Sequence, residues 1–285
     1  TLMERAGQGV ATVVHRAYPH LAAGVLVAAG RGNNGGDGWV AARVLTGLGA
    51  SVSVAEVAGS RTPECETQRE RAVSAGVTIL DAGAPWPPAA LVLDAVLGTG
   101  AKGPPRDGVL ELAERVAQHG APIVAVDGPT GLDLSTGQAH GPIRAAQSVT
   151  FGGVRRGHLL QRDWCGHITV LDIGFPAPDT AWPTLVDDLW AAGVLPRLSA
   201  TMHKGDRGKV LVIGGSEGMS GAALHAVSGA FAAGAGLVKL ASSPATIEAA
   251  RTSMPDALTV ITLLSAKPEP GLRDAIAWAD AIVLG

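Results

Sequence analysis

Residues 25–45 read VLVAAGRGNNGGDGWVAARVL. An apolar run from Val25 to Ala29 breaks into glycines and then into a helical pattern in which Val40, Val44 and Leu45 share one face. That spacing predicts strand, loop and helix. Gly30, Gly32, Gly35 and Gly36 are expected to give the turn positive φ and to let a ligand approach the backbone. The open amides of the following helix start favour an anion such as phosphate. Further along, the runs SVSVAEV, VTIL, ALVLDAV, PIVAVD, SVTF and HITVLDIG alternate with helical segments such as CETQRERAVSAG and LELAERVAQHG. The alternation predicts an α/β fold, a mostly parallel sheet with helices on both faces.

After Phe175 the text changes to PAPDTAWPTLVDDLWAAGVLPRLSATMHKGDRG, rich in Pro, Asp and Thr and without a sustained period. A second α/β opening follows: strand KVLVIGG, a glycine loop from Gly214 to Gly221, helix ALHAVSGAFAAGAG, and strands LVKLASS and DAIVLG. The expected organisation is therefore residues 1–180 as one domain, 181–200 as a linker, and 201–285 as the incomplete start of a second domain with three strands. Thr1 falls inside a helical pattern and the last strand runs into Gly285. Both ends are expected to be cuts in a longer chain.

Composition narrows the function classes. The 22 Lys+Arg against 25 Asp+Glu, with no basic block, argue against nucleic acid or an anionic membrane surface as partner. Small molecules are the expected partners, and a homo-oligomer stays open. No apolar stretch reaches the roughly 20 residues of a membrane span. Cys65 and Cys165 are far apart without metal-ligand spacing, so a reducing, cytoplasmic setting is expected rather than a disulfide framework.

In open parallel sheets, ligands bind beyond the carboxyl ends of the strands. Three places qualify: the Asn33 to Asp37 loop, Asp94 in LVLDAVLGTGAKGPP, and Asp127 in IVAVDGPTGLD. For Asp37 the competing reading is a helix cap, and for Asn33 or Asn34 a left-handed turn. Asp94 and Asp127 are expected on the same edge, where side-by-side carboxylates need compensation. A hard cation on Asp94, the Asn34 amide and the Thr130 hydroxyl would supply it, and so neutral a ligand set does not demand a divalent ion. Gly98, Thr99 and Gly100, followed by Lys102 and Gly103, form a second loop whose amides and lysine are suited to phosphate oxygens. Lys102 reads equally well as a solvated loop lysine. The Pro129–Thr130–Gly131 turn leaves Asp127 placed for acid-base work. His158 and His167 read as core or surface residues, and Asp133 as a turn residue.

Together GRGNNGGDG, LVLDAVLGTGAKG and AVDGPTGLD, in that order, resemble the NAD(P)H-hydrate epimerases over roughly residues 1–175, and HKGDRGKVLVIGGSEGMSGAALHA resembles the start of the ADP- or ATP-dependent NAD(P)H-hydrate dehydratases. Tandem chains of this kind are the bifunctional nicotinamide nucleotide repair enzymes. The resemblance implies a Rossmann-like three-layer αβα sandwich followed by the beginning of a ribokinase-like α/β domain. It also implies substrate binding by Asn33, Asn34, Gly35, Gly36 and Asp37, by Gly98, Thr99, Gly100, Ala101, Lys102, Gly103 and Pro104, by Asp127, and by Ala222 in the second unit. Asn34, Asp94 and Thr130 match potassium ligands, Thr130 standing where Ser is common. Arg155 stands where Lys is expected. The dehydratase half implies ADP or ATP with magnesium in the full-length chain. The catalytic loop and nucleotide site that the resemblance places further on lie past Gly285, so residues 201–285 are not expected to dehydrate anything.

The expected reaction interconverts the R and S forms of hydrated NADH or NADPH, with Asp127 as the acid-base group and the amide loops fixing the nucleotide. Two rivals remain. One is an NAD-dependent dehydrogenase that reads Gly30, Gly32 and Gly35 as a dinucleotide fingerprint and Glu56 as its ribose acid. The other is a non-catalytic nucleotide-binding or interaction module on the same scaffold.

Overall fold

The computed structural model describes residues 1–81, 83–176, 179, 182–262 and 269–285. The chain divides into two compact units, Thr1–Trp182 and Pro183–Gly285.

Among the described residues the first unit carries seven strands: β1 Val25–Ala29, β2 Val52–Glu56, β3 Thr78–Ile79, β4 Leu91–Ala95, β5 Ile123–Val126, β6 Gln147–Phe151 and β7 His167–Leu171. They form one sheet in the order β3-β2-β1-β4-β5-β6-β7, and every pairing is parallel. Six helices accompany it: α1 Leu2–Ala17, α2 Asn33–Gly47, α3 Pro63–Ser74, α4 Asp107–Gln118, α5 Arg156–Leu160 and α6 Arg162–Cys165. Side chains alternate across a strand, so β1 sends Val25, Val27 and Ala29 to one face and Leu26 and Ala28 to the other. The first set packs with Val10, Val14, Trp39, Leu45, Cys65 and Ala72 of α1, α2 and α3. The second packs with Leu112, Ala113 and Val116 of α4. Helices thus cover both faces, as a fully buried parallel sheet requires, and the three-layer Rossmann-like expectation holds. Helix starts follow local chemistry: the Thr1 hydroxyl accepts from the Glu4 amide, and the Thr62 hydroxyl accepts from the Cys65 amide, with Pro63 in the first turn.

The strand order fixes where a ligand can go. From β1 the chain steps outward through β2 and β3, then returns to place β4 on the other side of β1. Connections leaving β1 and β4 diverge there, opening a crevice at the carboxyl end of the sheet.

The second unit has helices α7 Asp188–Val194, α8 Gly221–Ala232, α9 Pro244–Ser253 and α10 Pro270–Trp278, and strands β8 Lys209–Ile213, β9 Leu237–Ser242, β10 Leu258–Ile261 and β11 Ala281–Leu284. Its sheet is parallel in the order β10-β9-β8-β11, an arrangement that fits the ribokinase-like expectation. It has four strands where three were expected. The fourth, LTVI at Leu258–Ile261, is a short run of three apolar residues and a threonine, and periodicity does not distinguish such a run from a helix segment. Within the expected linker, Asp187 caps α7 by accepting from the Trp190 amide. Among the described residues no helix is long and apolar enough to cross a membrane.

Candidate functional site

The glycine stretch after β1 works differently from its sequence reading. Helix α2 already begins at Asn33, with Gly32 as its cap residue. Asp37 is therefore a fifth helical residue and not a cap. Neither asparagine is left-handed, and none of Gly30, Gly32, Gly35 or Gly36 has positive φ. Close packing explains Gly30 and Gly35 instead: a Cβ on Gly30 would collide with the Val96 carbonyl, and one on Gly35 with the Gly30 carbonyl, whereas Gly32 has open space around it. The missing side chains let α2 settle against the β1 and β4 ends, which aims its first turn into the crevice.

Asp127, just beyond β5, is one of two non-glycine residues with positive φ among the described residues, at 68°. A left-handed aspartate is held there only when its surroundings over-determine it. Its amide donates to the Val149 carbonyl at 2.7 Å. Its carbonyl accepts from His158 Nε2 at 2.7 Å, while His158 Nδ1 accepts from the Arg155 amide at 2.9 Å. Those partners fix His158 as the Nε2-protonated tautomer, and burial holds the imidazole below its ordinary pKa. The Asp127 carboxylate accepts from the Thr99 amide at 2.7 Å and from Thr150 Oγ1 at 3.0 Å. His158 and Thr150 are not legible as site residues, since neither the RRGHLLQR stretch nor the QSVTF strand carries a local motif.

Asp94 is fully buried. Its carboxylate accepts from Thr130 Oγ1 and the Thr130 amide, each at 2.7 Å, and from the Val96 amide at 3.3 Å. Burial pushes it up to about 6 against the lowering effect of those bonds. Thr130 Oγ1 also accepts from the Leu97 amide. The electrostatic pairing differs from the expected one. The acid that feels the charge of Asp127 is Asp37, pushed up to about 8 by burial first and by Asp127 second.

These parts surround a cavity of about 1020 Å³. Asn33, Asn34 and Asp37 come from α2, Gly98, Thr99, Gly100 and Ala101 from the loop after β4, and Asp127 from the end of β5. Asn34 Nδ2 is a buried donor without a hydrogen-bond partner among the described residues. Gly35 and Gly36 lie behind the wall, and Asp94 and Thr130 lie beneath it. Lys102, Gly103 and Pro104 line a second cavity of about 670 Å³, bordered like the first by Arg31, Leu97, Ala101 and Val109. Ala222 lies in the other unit, exposed in the first turn of α8. Glu56 lines neither cavity and is paired with Arg61 and Arg69 at 2.8 Å each, which removes the ribose acid that the dehydrogenase reading needs.

The family profile described as YjeF-related protein N-terminus matches residues 1–157, more than half of the chain. The chain belongs to the YjeF-related family. The profile described as NAD(P)H-hydrate dehydratase matches residues 210–285. Among similar curated proteins, the bifunctional NAD(P)H-hydrate repair enzyme Nnr of Escherichia coli (strain K12) is 34% identical over 305 residues, covering 100% of this chain and 56% of that protein. The enzyme of the same name from Pyrobaculum aerophilum is 37% identical over 275 residues, covering 91% and 54%. This YjeF-related chain thus spans about half the length of the curated relatives it matches. A solved structure, the crystal structure of yeast ynu0, is 29% identical with a TM-score of 0.51, covering 63% of this chain and 86% of that one.

Proposed function

We propose that the YjeF-related unit interconverts the R and S forms of hydrated NADH or NADPH. In the whole protein, the S form is then dehydrated back to NAD(P)H by the second unit with ADP or ATP and magnesium. The observation that carries this reading is that two acids, Asp37 and Asp127, line one cavity large enough for a dinucleotide half, with Asp37 raised to about 8 by burial first and by the charge of Asp127 second. An acid raised to about 8 keeps its proton at neutral pH beside a second carboxyl group, which suits a reaction that lends a proton and takes it back.

The hydrate carries its hydroxyl on a ring carbon next to the ring nitrogen. One proton from the Asp37–Asp127 pair goes to that hydroxyl, the carbon–oxygen bond breaks, and water leaves as the nitrogen lone pair forms an iminium. Water adds to the opposite face, and its extra proton returns to the pair. Atoms and charge balance with no other reactant. Asp127 is the catalytic residue in this scheme. The Thr99 amide and Thr150 hydroxyl orient its carboxylate, and the free Asn34 amide is a donor for a substrate oxygen.

The donor set of Asn34, Asp94 and Thr130 fits potassium. It is all oxygen, and burial disfavours the charged form of Asp94 by more than its hydrogen bonds favour it. Bound there, a monovalent cation supplies charge compensation beneath the substrate loop. A cytoplasmic setting is consistent with two buried free thiols. The test is incubation of one hydrated NADPH epimer in oxygen-18 water. Inversion accompanied by label incorporation supports hydroxyl departure and return, and inversion with the original oxygen fully retained refutes it.

A further inference from the structure

The second cavity holds charges that the proposed reaction does not use. Arg31, Lys102 and Arg106 border it, against a single carboxylate, Asp107. None of the three cations is within ion-pair distance of a carboxylate among the described residues, although Lys102 feels the charge of Asp133, and other arginines on this unit, including Arg43, Arg61 and Arg69, are paired. The first cavity shows the opposite pattern, with Asp37, Asp127 and Glu64 against Arg31 alone among charged side chains. Arg31 stands at the border of both. At the far end, α4 starts without a side-chain cap on Arg106, and Asp107 there has a φ of 49°, a strained conformation for a residue other than glycine.

A hydrated dinucleotide has one uncharged end, the reacting ring, and one polyanionic end. Acids repel phosphate and unpaired cations in a concave wall attract it, so the two cavities sort the two ends. Resting on the epimerase reading, we infer that the second cavity binds the phosphate-bearing adenylate half. Arg31 contacts the pyrophosphate, and Arg106 with Lys102 contacts the terminal phosphomonoester that distinguishes hydrated NADPH from hydrated NADH. The site therefore favours the phosphorylated substrate.

The experiment compares binding of ADP-ribose and 2′-phospho-ADP-ribose by calorimetry to the chain and to its R31A, R106A and R106K variants, together with epimer exchange on both hydrates. Expected is roughly tenfold tighter binding of the phosphorylated probe, the scale of one charge-assisted contact. The preference falls away in R106A, is partly kept in R106K, and weakens with salt. R31A should weaken both probes alike, and KM for hydrated NADPH should rise in R106A while kcat holds. Equal binding of the two probes, or a preference that survives in R106A, overturns the inference. A phosphate preference without any epimer exchange leaves the subsite standing and refutes the epimerase reading.

Discussion

Replacing Asp37 with Asn should stabilise the fold while damaging the proposed reaction. Burial, with the charge of Asp127 adding to it, raises this carboxyl from its ordinary 3.8 to about 8. The folded chain therefore binds more protons than the unfolded chain between those values. Stability contributed by the neutral acid is full below the lower value and is lost as pH rises toward the upper one. At pH 7 the resulting penalty is on the order of 4 kcal/mol, and at pH 5 about 1.5 kcal/mol. Asn keeps the shape and removes the ionisation. Urea unfolding at pH 5, 7 and 9 measures this: D37N should gain a few kcal/mol over the parent at neutral pH, and the gap should widen from pH 5 to pH 7. Epimer exchange should fall by at least tenfold, because the site loses the proton that Asp37 holds at neutral pH. A variant no more stable than the parent at pH 7, with the same pH slope, would refute the coupled-acid reasoning.

Other expectations follow from particular contacts. H158A should lower kcat for epimer exchange roughly tenfold with little change in KM, because the Asp127 carbonyl loses its partner, and H158Q, able to donate from a similar position, should recover part of it; unchanged kcat in H158A would remove His158 from positioning. Exchange activity should fall when potassium is replaced by tetramethylammonium, and D94N should abolish that cation dependence; activity indifferent to the swap would count against the cation site. Residues 1–182 expressed alone should unfold in one cooperative transition and retain exchange activity, whereas aggregation with loss of activity would contradict an independent first unit.

Much of this architecture is legible in the residues. The central strands β1, β4 and β5 coincide with continuous apolar runs, broken only by Asp94 in β4, because a parallel strand buried on both faces leaves little room for polar alternation, and the outer strands β2, β3 and β7 are apolar runs only in part. Asp94 and Asp127 were placed at strand ends by the same logic. What local reading does not reach depends on the third dimension. The glycines of the α2 entry suggest positive φ, yet Gly30 is required by the Val96 carbonyl, about 65 residues away in sequence, and Gly35 by the Gly30 carbonyl. The partner of Asp127 is Asp37 from α2, because the β1–β4 switch brings that helix start over the β5 end. Thr150 and His158 reach Asp127 through strand pairing and a buried hydrogen bond, neither of which leaves a local pattern. LTVI at Leu258–Ile261, three apolar residues and a threonine, is too short to carry a period.

Stereochemically resolved chromatography of a single hydrated NADPH epimer, followed over time with the parent chain and with Asp127→Asn side by side, is the decisive comparison. The parent should bring the two forms to their equilibrium ratio well ahead of the uncatalysed rate, and D127N, still folded by circular dichroism, should match the protein-free control. An inert parent, or a folded D127N that exchanges the epimers at near-parent rate, would contradict the assignment of this site.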